Sequence, residues 1–314
     1  MLFDNRKLSF SANQLLNSRL TNLRPDIEGE KRIFTNILEQ VRHQLQATGY
    51  PFNQADFQIA GSFAKNTMLT SHREFDIIVT LPANLSGYLP SADTKDQLRE
   101  DIASVFSSND PFIPPNGKNT KITVSNISVD VLPTFDIPLN DFLRLPSRSR
   151  DPYKGYMSLY HINFMRNRGN LYQDCCRLAK YWSHGPAHKE YKHYASSWFL
   201  ELVTASSYQY ASQKTYSVVF ELFLRRMKNI KRRRRRRNKF IAFNDFYKVT
   251  PALRDAYLST LTILEPTDPD DNLATRGIQA DHLGELVRKA RTTLKTWKNE
   301  GFDRVFQEYF SRKA

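Results

Sequence analysis

The chain has 314 residues, of which 40% are hydrophobic and 25% charged, so it falls in the globular range and is long enough to bury two cores. Its 46 Lys and Arg residues outnumber 32 Asp and Glu residues, which leaves a formal net charge of +14 at pH 7. An excess of this size is typical of proteins that meet polyanions. The composition excludes collagen-like and disordered chains, and the only two cysteines, adjacent at Cys175 and Cys176, exclude a disulfide framework.

The sequence has no pattern of a membrane or secreted protein. Its first twenty residues lack the apolar stretch of a secretory signal, and nowhere do eighteen apolar residues run together. Together with the scarcity of cysteine, these features predict a cytoplasmic protein with no membrane partner.

The first part of the chain mixes helical and strand patterns. Apolar residues at helical spacing predict one long amphipathic helix over Glu30–Leu45. A short strand over Asp56–Ala60 leads into a turn at Gly61–Ser62 and a helical stretch over Phe63–Leu69. The β-branched segment Phe75–Leu81 predicts a buried strand.

The later part of the chain is predicted to be mostly helical. Lys121–Leu132 has the pattern of two strands, or of a hairpin broken near Ser125–Asn126, and helical spacing dominates from Asn163 onward. The predicted helices are Leu171–Trp182, Ser196–Tyr210, Ser217–Lys228, Phe243–Leu261 and Ala280–Trp297. The predicted fold class is therefore α+β and bilobed, with an N-terminal mixed-sheet lobe that carries a long helix and a C-terminal helical lobe.

A polar segment punctuated by Pro and Gly, residues 144–155, is the best candidate for the crossing between the lobes. We accordingly predict a catalytic lobe over residues 1–150 and a helical lobe over residues 151–314.

The turn at Gly61 and Ser62 has the chemistry of a phosphate site. Glycine lets the backbone approach phosphate oxygens closely, and N–H groups at the start of a helix favour negative charge. These two residues are predicted to hold the tail of a nucleoside triphosphate. The alternative is a turn with no ligand.

Three carboxylates lie in or beside apolar strands. Glu74 and Asp76 are two residues apart, so a strand would place both on one face, and Asp130 lies between Val129 and Val131. Like charges beside apolar residues destabilise a fold unless a cation neutralises them. Three hard oxygen ligands suit two Mg²⁺ or Mn²⁺ ions, so these residues are the predicted catalytic and metal site.

The order of these motifs resembles that of nucleotidyltransferases of the DNA polymerase β type. The stretches GSFAKNT, VDVLPTFD and ILEPTDPDDN are similar, more narrowly, to those of oligoadenylate synthetases and the bacterial cyclic-oligonucleotide synthases called CD-NTases. The resemblance covers about Gly61 to Asn272. Most relatives have Asp where this chain has Glu74, although the sequence EFD is similar to that of cyclic GMP-AMP synthase.

The resemblance implies a metal-dependent enzyme that joins ATP and other NTPs into a short 2′-5′ or cyclic oligonucleotide, a second messenger of antiviral innate immunity. One alternative is addition of nucleotides to an RNA 3′ end, as in CCA-adding enzymes. The other is a catalytically dead scaffold that binds nucleic acid.

Two further nucleotide contacts are implied by the same resemblance. LYQDCCRLAKYWS resembles the helix whose lysine contacts the triphosphate, which nominates Lys180, and the alternative is a solvated helix lysine. HYASSWFLELV resembles the helix whose serine touches the nucleotide, which nominates Ser197, with Ser196 as the alternative register and a helix N-cap as the alternative role.

A zinc site is not expected. His184, His188 and His193 follow Cys175 and Cys176, which is the reverse of the order in the zinc loop of cyclic GMP-AMP synthases, and the cysteines lie in an amphipathic helix as small buried residues.

Seven consecutive cations form the basic run. Without them the chain would still carry a net charge of +7. The run has three interpretations: a solvated loop, a nuclear address in a eukaryotic cell, or a surface that binds double-stranded RNA, the activator of oligoadenylate synthetases. The basic run comprises Lys231, Arg232, Arg233, Arg234, Arg235, Arg236 and Arg237.

Overall fold

The computed structural model describes residues 5–70, 75–107, 111–114, 119–184, 195–230, 240–257, 261–276 and 280–311. The chain divides into two compact units. The described residues of Pro25–Met68 and His72–Asn167 form one, called here the sheet unit; those of Met1–Arg24, Leu69–Ser71 and Arg168–Ala314 form the other, called here the helical unit. This division differs from the predicted boundary at residue 150, because the chain leaves the sheet unit only after residue 167 and the first helix belongs to the helical unit.

The sheet unit is built on a four-stranded mixed sheet. Its strand order is β1-β2-β4-β3, in which β2 and β4 are parallel and the other two pairs antiparallel. The strands are β1 (Asp56–Ile59), β2 (Phe75–Leu81), β3 (Thr120–Val124) and β4 (Ile127–Phe135). The helices of this unit, numbered after the first helix α1 (Asn5–Leu23), are α2 (Ile27–Ala47), α3 (Gly61–Ala64), α4 (Ala92–Val105), α5 (Leu139–Arg144) and α6 (Lys154–Arg166).

The two faces of this sheet differ in chemistry because side chains alternate along a strand. Apolar side chains of β2 such as Phe75, Ile77 and Val79 belong to the core that also contains the apolar stripe of α2 and residues of α4. Asp76 points to the opposite face. On that face Gly155 of α6 lies so close to β4 that an added Cβ would lie 2.8 Å from the Cβ of Thr134.

The hairpin predicted near residues 125 and 126 is confirmed. Ser125 and Asn126 both have positive φ, 51° and 63°, as a two-residue turn with the twist of a hairpin requires. This turn joins β3 to β4 and sets the pairing of Val124 with Ile127.

The helical unit contains α1 and most of the later helices. The remaining helices are α7 (Gly169–His184), α8 (Ser197–Tyr210), α9 (Tyr216–Asn229), α10 (Pro251–Ala256), α11 (Leu273–Arg276), α12 (Ala280–Glu300) and α13 (Phe302–Tyr309). Helix α7 is buried from Tyr172 to its end, including its polar residues. A small sheet of order β5-β6-β7 accompanies the helices, with strands β5 (Phe240–Ile241), β6 (Thr262–Glu265) and β7 (Asp268–Asn272).

The predicted helix over Phe243–Leu261 is wrong. Among the described residues of that range, only Pro251–Ala256 is helical. Upstream, Asn244 Oδ1 accepts a hydrogen bond from Val249 N at 2.8 Å and closes a non-helical loop. Proline lacks an N–H donor and is compatible with a helix only in its first turn, so the helix begins at Pro251. The apolar spacing had predicted a start eight residues earlier, at Phe243.

No helix in the described part of the chain is long and apolar enough to cross a bilayer.

Candidate active site

Gly61 lies directly against the carboxylate of Asp76. Its φ is +64°, and a Cβ built on it would lie 1.7 Å from Asp76 Oδ2. The backbones also meet, because Ala60 N donates a hydrogen bond to Asp76 O at 2.8 Å. Glycine is therefore required here both by the backbone conformation and by the space that the carboxylate occupies.

Ser62 is half-buried in the short turn that follows. Its carbonyl accepts a hydrogen bond from Thr67 N at 2.8 Å, which closes the loop after α3. Arg166 of α6 donates from Nε to the carbonyl of Ala64 at 3.2 Å. The Gly-Ser turn is thus held over the Asp76 end of the sheet by its own loop and by α6.

Asp76 and Asp130 lie side by side on the two parallel strands. They are register partners in β2 and β4, which places both carboxylates on the face opposite the apolar core. Both residues are half-buried. Asp130 Oδ1 is buried, and the Lys121 ammonium lies 2.9 Å from it. Two adjacent carboxylates fit the donor set of a hard divalent cation.

Lys121 lies beside Asp130 on the neighbouring strand β3. It was not predicted from the sequence as a site residue. It is the register partner of Asp130 on β3, and its Nζ lies 2.9 Å from Asp130 Oδ1 and 3.3 Å from Oδ2. The sequence nevertheless contains a pattern that predicts the position of Lys121. A two-residue turn at Ser125–Asn126 fixes the hairpin register, and that register alone places Lys121 opposite Asp130.

Several predicted residues lie outside the described part of the chain. They are Glu74, His188, His193 and the basic run 231–237.

Lys180 is buried in an ion pair. Its Nζ lies 2.5 Å from Glu201 Oε1 of α8, and the two side chains are 4% and 0% exposed. The predicted alternative of a solvated lysine is therefore wrong. The amine has a carboxylate partner inside the helical unit, which offsets the desolvation of both charges.

Ser196 and Ser197 take different positions at the start of α8. Ser196 is the N-cap, and its Oγ accepts a hydrogen bond from Phe199 N at 3.2 Å. Ser197 is the first helical residue and is half-buried. The N-cap role considered for the serine therefore belongs to Ser196.

The segment ILEPTDPDDN forms the hairpin of β6 and β7. Asn272 closes it, because its Oδ1 accepts hydrogen bonds from Ile263 N at 2.9 Å and Ala274 N at 3.1 Å. Glu265 Oε2 accepts a hydrogen bond from Trp198 Nε1 at 2.7 Å. The structure thus brings this hairpin beside the residue that follows Ser197.

Burial and acidic neighbours also act on a tyrosine at this hairpin. Tyr247 donates its hydroxyl to Glu265 O at 3.0 Å. Desolvation, and then the nearby Glu265 and Asp268, raise the pKa of the Tyr247 hydroxyl well above its ordinary value, so it remains a neutral donor.

The two cysteines lie in α7, fully buried. Burial, and then the neighbouring Cys176, raise the pKa of the Cys175 thiol well above its ordinary value, which disfavours the thiolate that metals bind. Among the described residues, no three His, Cys, Asp or Glu side chains gather in a group that could hold a metal ion.

The mixed sheet and the helical unit have the fold of solved nucleotidyltransferases of the DNA polymerase β type. The chain is similar to CdnC of E. coli MS115-1, a CD-NTase solved in complex with HORMA-deltaN, with a TM-score of 0.65 and 19% identity over 95% of this chain and 96% of that one. CdnC solved with ATP gives a TM-score of 0.64 at 18% identity, covering 96% and 98% of the two chains.

A second group of similar structures is that of Cid1 poly(U) polymerase. One such structure has a TM-score of 0.63 and 11% identity over 96% of this chain and 98% of that one. No protein-family model matches the chain, and no curated protein matches it. The structural likeness establishes the fold.

Proposed function

We propose that the protein is a metal-dependent nucleotidyltransferase that joins NTPs into a short 2′-5′ or cyclic oligonucleotide. The observation that carries this proposal is the contact between Gly61 and the carboxylate of Asp76, which lies beside Asp130 on the neighbouring strand. The fold shared with CdnC and with Cid1 supports nucleotidyl transfer as the reaction class.

The carboxylates of Asp76 and Asp130 would hold one or two Mg²⁺ or Mn²⁺ ions, with Glu74 as the third predicted ligand. Such ions supply charge stabilisation to the attacking hydroxyl and to the leaving pyrophosphate. The turn at Gly61 and Ser62 would receive the triphosphate, because its glycine leaves the backbone open to close approach. Catalysis by these residues would come from positioning and electrostatics.

Two residues of the helical unit remain proposals as nucleotide contacts. The role of Ser197 in nucleotide binding is supported by its half-buried position at the start of α8. Its hydroxyl is not needed as the helix cap, because Ser196 takes that position. Lys180 would have to exchange its partner Glu201 for a phosphate, since the pair is buried at 2.5 Å. Replacing Lys180 with Met therefore tests a contact and a structural role together, and Ser197→Ala is the cleaner variant.

The second candidate is addition of nucleotides to an RNA 3′ end. The similarity to Cid1, which the solved structures describe as an RNA terminal uridylyltransferase, favours it. The third candidate, a dead scaffold, is disfavoured by the adjacent carboxylates, because a protein that binds no metal gains nothing from two half-buried acids side by side.

The decisive experiment incubates the purified full chain with each radiolabelled NTP and with all four, in Mg²⁺ or Mn²⁺. Parallel reactions contain no RNA, duplex RNA, or a single-stranded RNA with a free 3′ end. Products are resolved by chromatography and digested with linkage-specific nucleases. A short product without a primer supports oligonucleotide synthesis, whereas extension of the single strand supports the second candidate.

Site variants show whether the measured turnover belongs to this protein or to a contaminating enzyme. Asp76→Asn and Asp130→Asn are each expected to lower turnover at least about 100-fold, because the reaction depends on charge stabilisation. The matched control is Glu39→Gln, which removes one negative charge from the exposed side of α2 in the same unit. Turnover near that of the wild type in either Asp variant would refute the metal-site assignment.

A further inference from the structure

Lys121 lies next to the paired carboxylates of Asp76 and Asp130, and the proposed reaction gives it no role. Asp130 lies on the inner strand β4, with Asp76 on one side and Lys121 on the other. The lysine side chain is 40% exposed and the Asp130 side chain 19% exposed. The Lys121 ammonium therefore extends from the edge strand β3 to the mostly buried carboxylate of Asp130.

The backbone holds Lys121 firmly at this place. Besides its pairing with β4, its N and O exchange two hydrogen bonds of 2.8 Å with Phe112 on its other side. The strand segment is thus bonded on both edges. The register places Lys121 directly opposite Asp130, which keeps the ammonium within reach of the carboxylate.

The position of the ammonium matters for cation binding. Its Nζ lies 2.9 Å from the buried Asp130 Oδ1. Without a metal ion, the Lys121 ammonium is a positive charge that offsets part of the repulsion between Asp76 and Asp130. A divalent cation that binds Asp130 meets this ammonium at the same oxygen and is repelled by it.

We propose that Lys121 is a built-in counter-ion of the carboxylate pair, which stabilises the metal-free protein and weakens its affinity for divalent cations. This inference rests on the proposed metal site. Its consequence is that metal binding is favoured when a polyanionic triphosphate is bound as well, because the phosphates give the displaced ammonium a second partner. Lys121 acts through Asp130 and is therefore a positioning residue.

The test measures Mn²⁺ binding to the full chain without nucleotide, by the electron paramagnetic resonance signal of the free ion. Lys121→Met is expected to bind Mn²⁺ about five-fold more tightly than the wild type, the size expected for a partly exposed ion pair. Lys121→Arg keeps the charge and is expected to bind Mn²⁺ as the wild type does. The matched control is Lys31→Met, which removes an exposed cation of α2 from the same unit.

Thermal melting supplies a second readout. In EDTA, Lys121→Met is expected to melt below the wild type, and added Mn²⁺ is expected to raise its melting temperature by more than it raises that of the wild type. A residue with a purely structural role would lower stability without tightening metal binding. Lys121→Gln is measured in the same way, so that the test does not depend on the Met variant folding well.

The outcomes separate this inference from the function on which it rests. If Mn²⁺ binding is lost in Asp130→Asn but unchanged in both neutral Lys121 variants, the counter-ion role is wrong and the metal site stands. If the wild type shows no Mn²⁺ binding that depends on Asp76 and Asp130, the metal site itself is wrong, and the inference fails with it.

Discussion

Gly61 and Asp76 are in such close contact that a single methyl group on the glycine would occupy the space of the carboxylate. The two residues come from a turn and a strand and are fifteen positions apart in sequence, and the distance of 1.7 Å from the ideal Cβ to Oδ2 is too short for any contact. The Gly-Ser turn and the predicted metal ligand are therefore one structural element.

Gly61→Ala is expected to abolish turnover and to lower the melting temperature. The Cβ would displace the Asp76 carboxylate, and a positive φ of 64° adds about 1 kcal/mol for a residue other than glycine. The control is Gly87→Ala, because Gly87 has a φ of +78° with nothing within 4 Å, so it isolates the conformational part. Urea denaturation and NTP turnover of both variants measure the difference.

A double-mutant cycle makes this prediction specific. In the background of Asp76→Ala, the cost of Gly61→Ala is expected to fall toward that of Gly87→Ala, since the clashing carboxylate is gone and only the Cβ of residue 76 remains, 3.0 Å away. An undiminished cost in that background would show that the glycine is required for another reason.

Asp174 is expected to be a large contributor to the stability of the helical unit. Its buried carboxylate accepts hydrogen bonds from Arg24 at 2.6 and 3.0 Å, from Arg177 at 2.7 Å and from the Tyr216 hydroxyl at 3.2 Å, so it joins α7 and α9 to the residue that follows α1. Asp174→Ala leaves the buried Arg177 without its carboxylate and is expected to cost about 3 kcal/mol.

Urea denaturation measures this loss. Asp255→Ala, at an exposed position of α10 in the same unit, is the control and is expected to change stability by less than about 0.5 kcal/mol. Equal effects of the two variants would contradict the network.

Lys289 is expected to make the stability of the protein rise with pH above neutrality. Burial lowers its pKa to about 8, although the nearby Glu308 acts in the opposite direction. Between pH 8 and the ordinary lysine pKa of 10.5, the unfolded chain binds this proton more often than the folded chain does. Stability therefore rises through that window, and below pH 8 the cost of burying the charge is fully present.

The measurement compares wild type and Lys289→Met by urea denaturation at pH 7, 8, 9 and 9.5. The wild type is expected to gain up to about 2 kcal/mol relative to the variant across this range, because each unit of pKa shift corresponds to about 1.4 kcal/mol. Lys298→Met, an exposed lysine of the same helix, is expected to leave the slope unchanged. A parallel pH dependence of wild type and Lys289→Met would contradict the depressed pKa.

The basic run carries the prediction about RNA. Replacing Arg232 to Arg237 with serine is expected to weaken duplex RNA binding about equally for all sequences and to flatten its salt dependence, because fewer counterions are released. Filter binding from 50 to 300 mM salt measures both effects, and the reaction without RNA in Mn²⁺ serves as the control for an intact enzyme. Unchanged affinity and slope, with RNA stimulation retained, would place any RNA surface elsewhere on the chain.

Local pattern was sufficient for several elements of the fold. The strand predicted over Phe75–Leu81 matches β2, and the helix predicted over Glu30–Leu45 lies within α2. The turn at Ser125–Asn126 was readable as well. In each case side chains a few residues apart determine the structure, so periodicity and turn chemistry are sufficient. The strand β6, Thr262–Glu265, was not predicted, because a short apolar run has no period of its own.

The sequence by itself determined which acids and which glycine belong to the candidate site, whereas only the tertiary structure decided what each of them touches. Asp76 meets Asp130 because β2 and β4 pair in parallel across fifty residues, and Lys180 finds Glu201 because two helices pack together. Such pairings depend on the burial of whole apolar faces, a property of the assembled core that no short stretch of sequence contains.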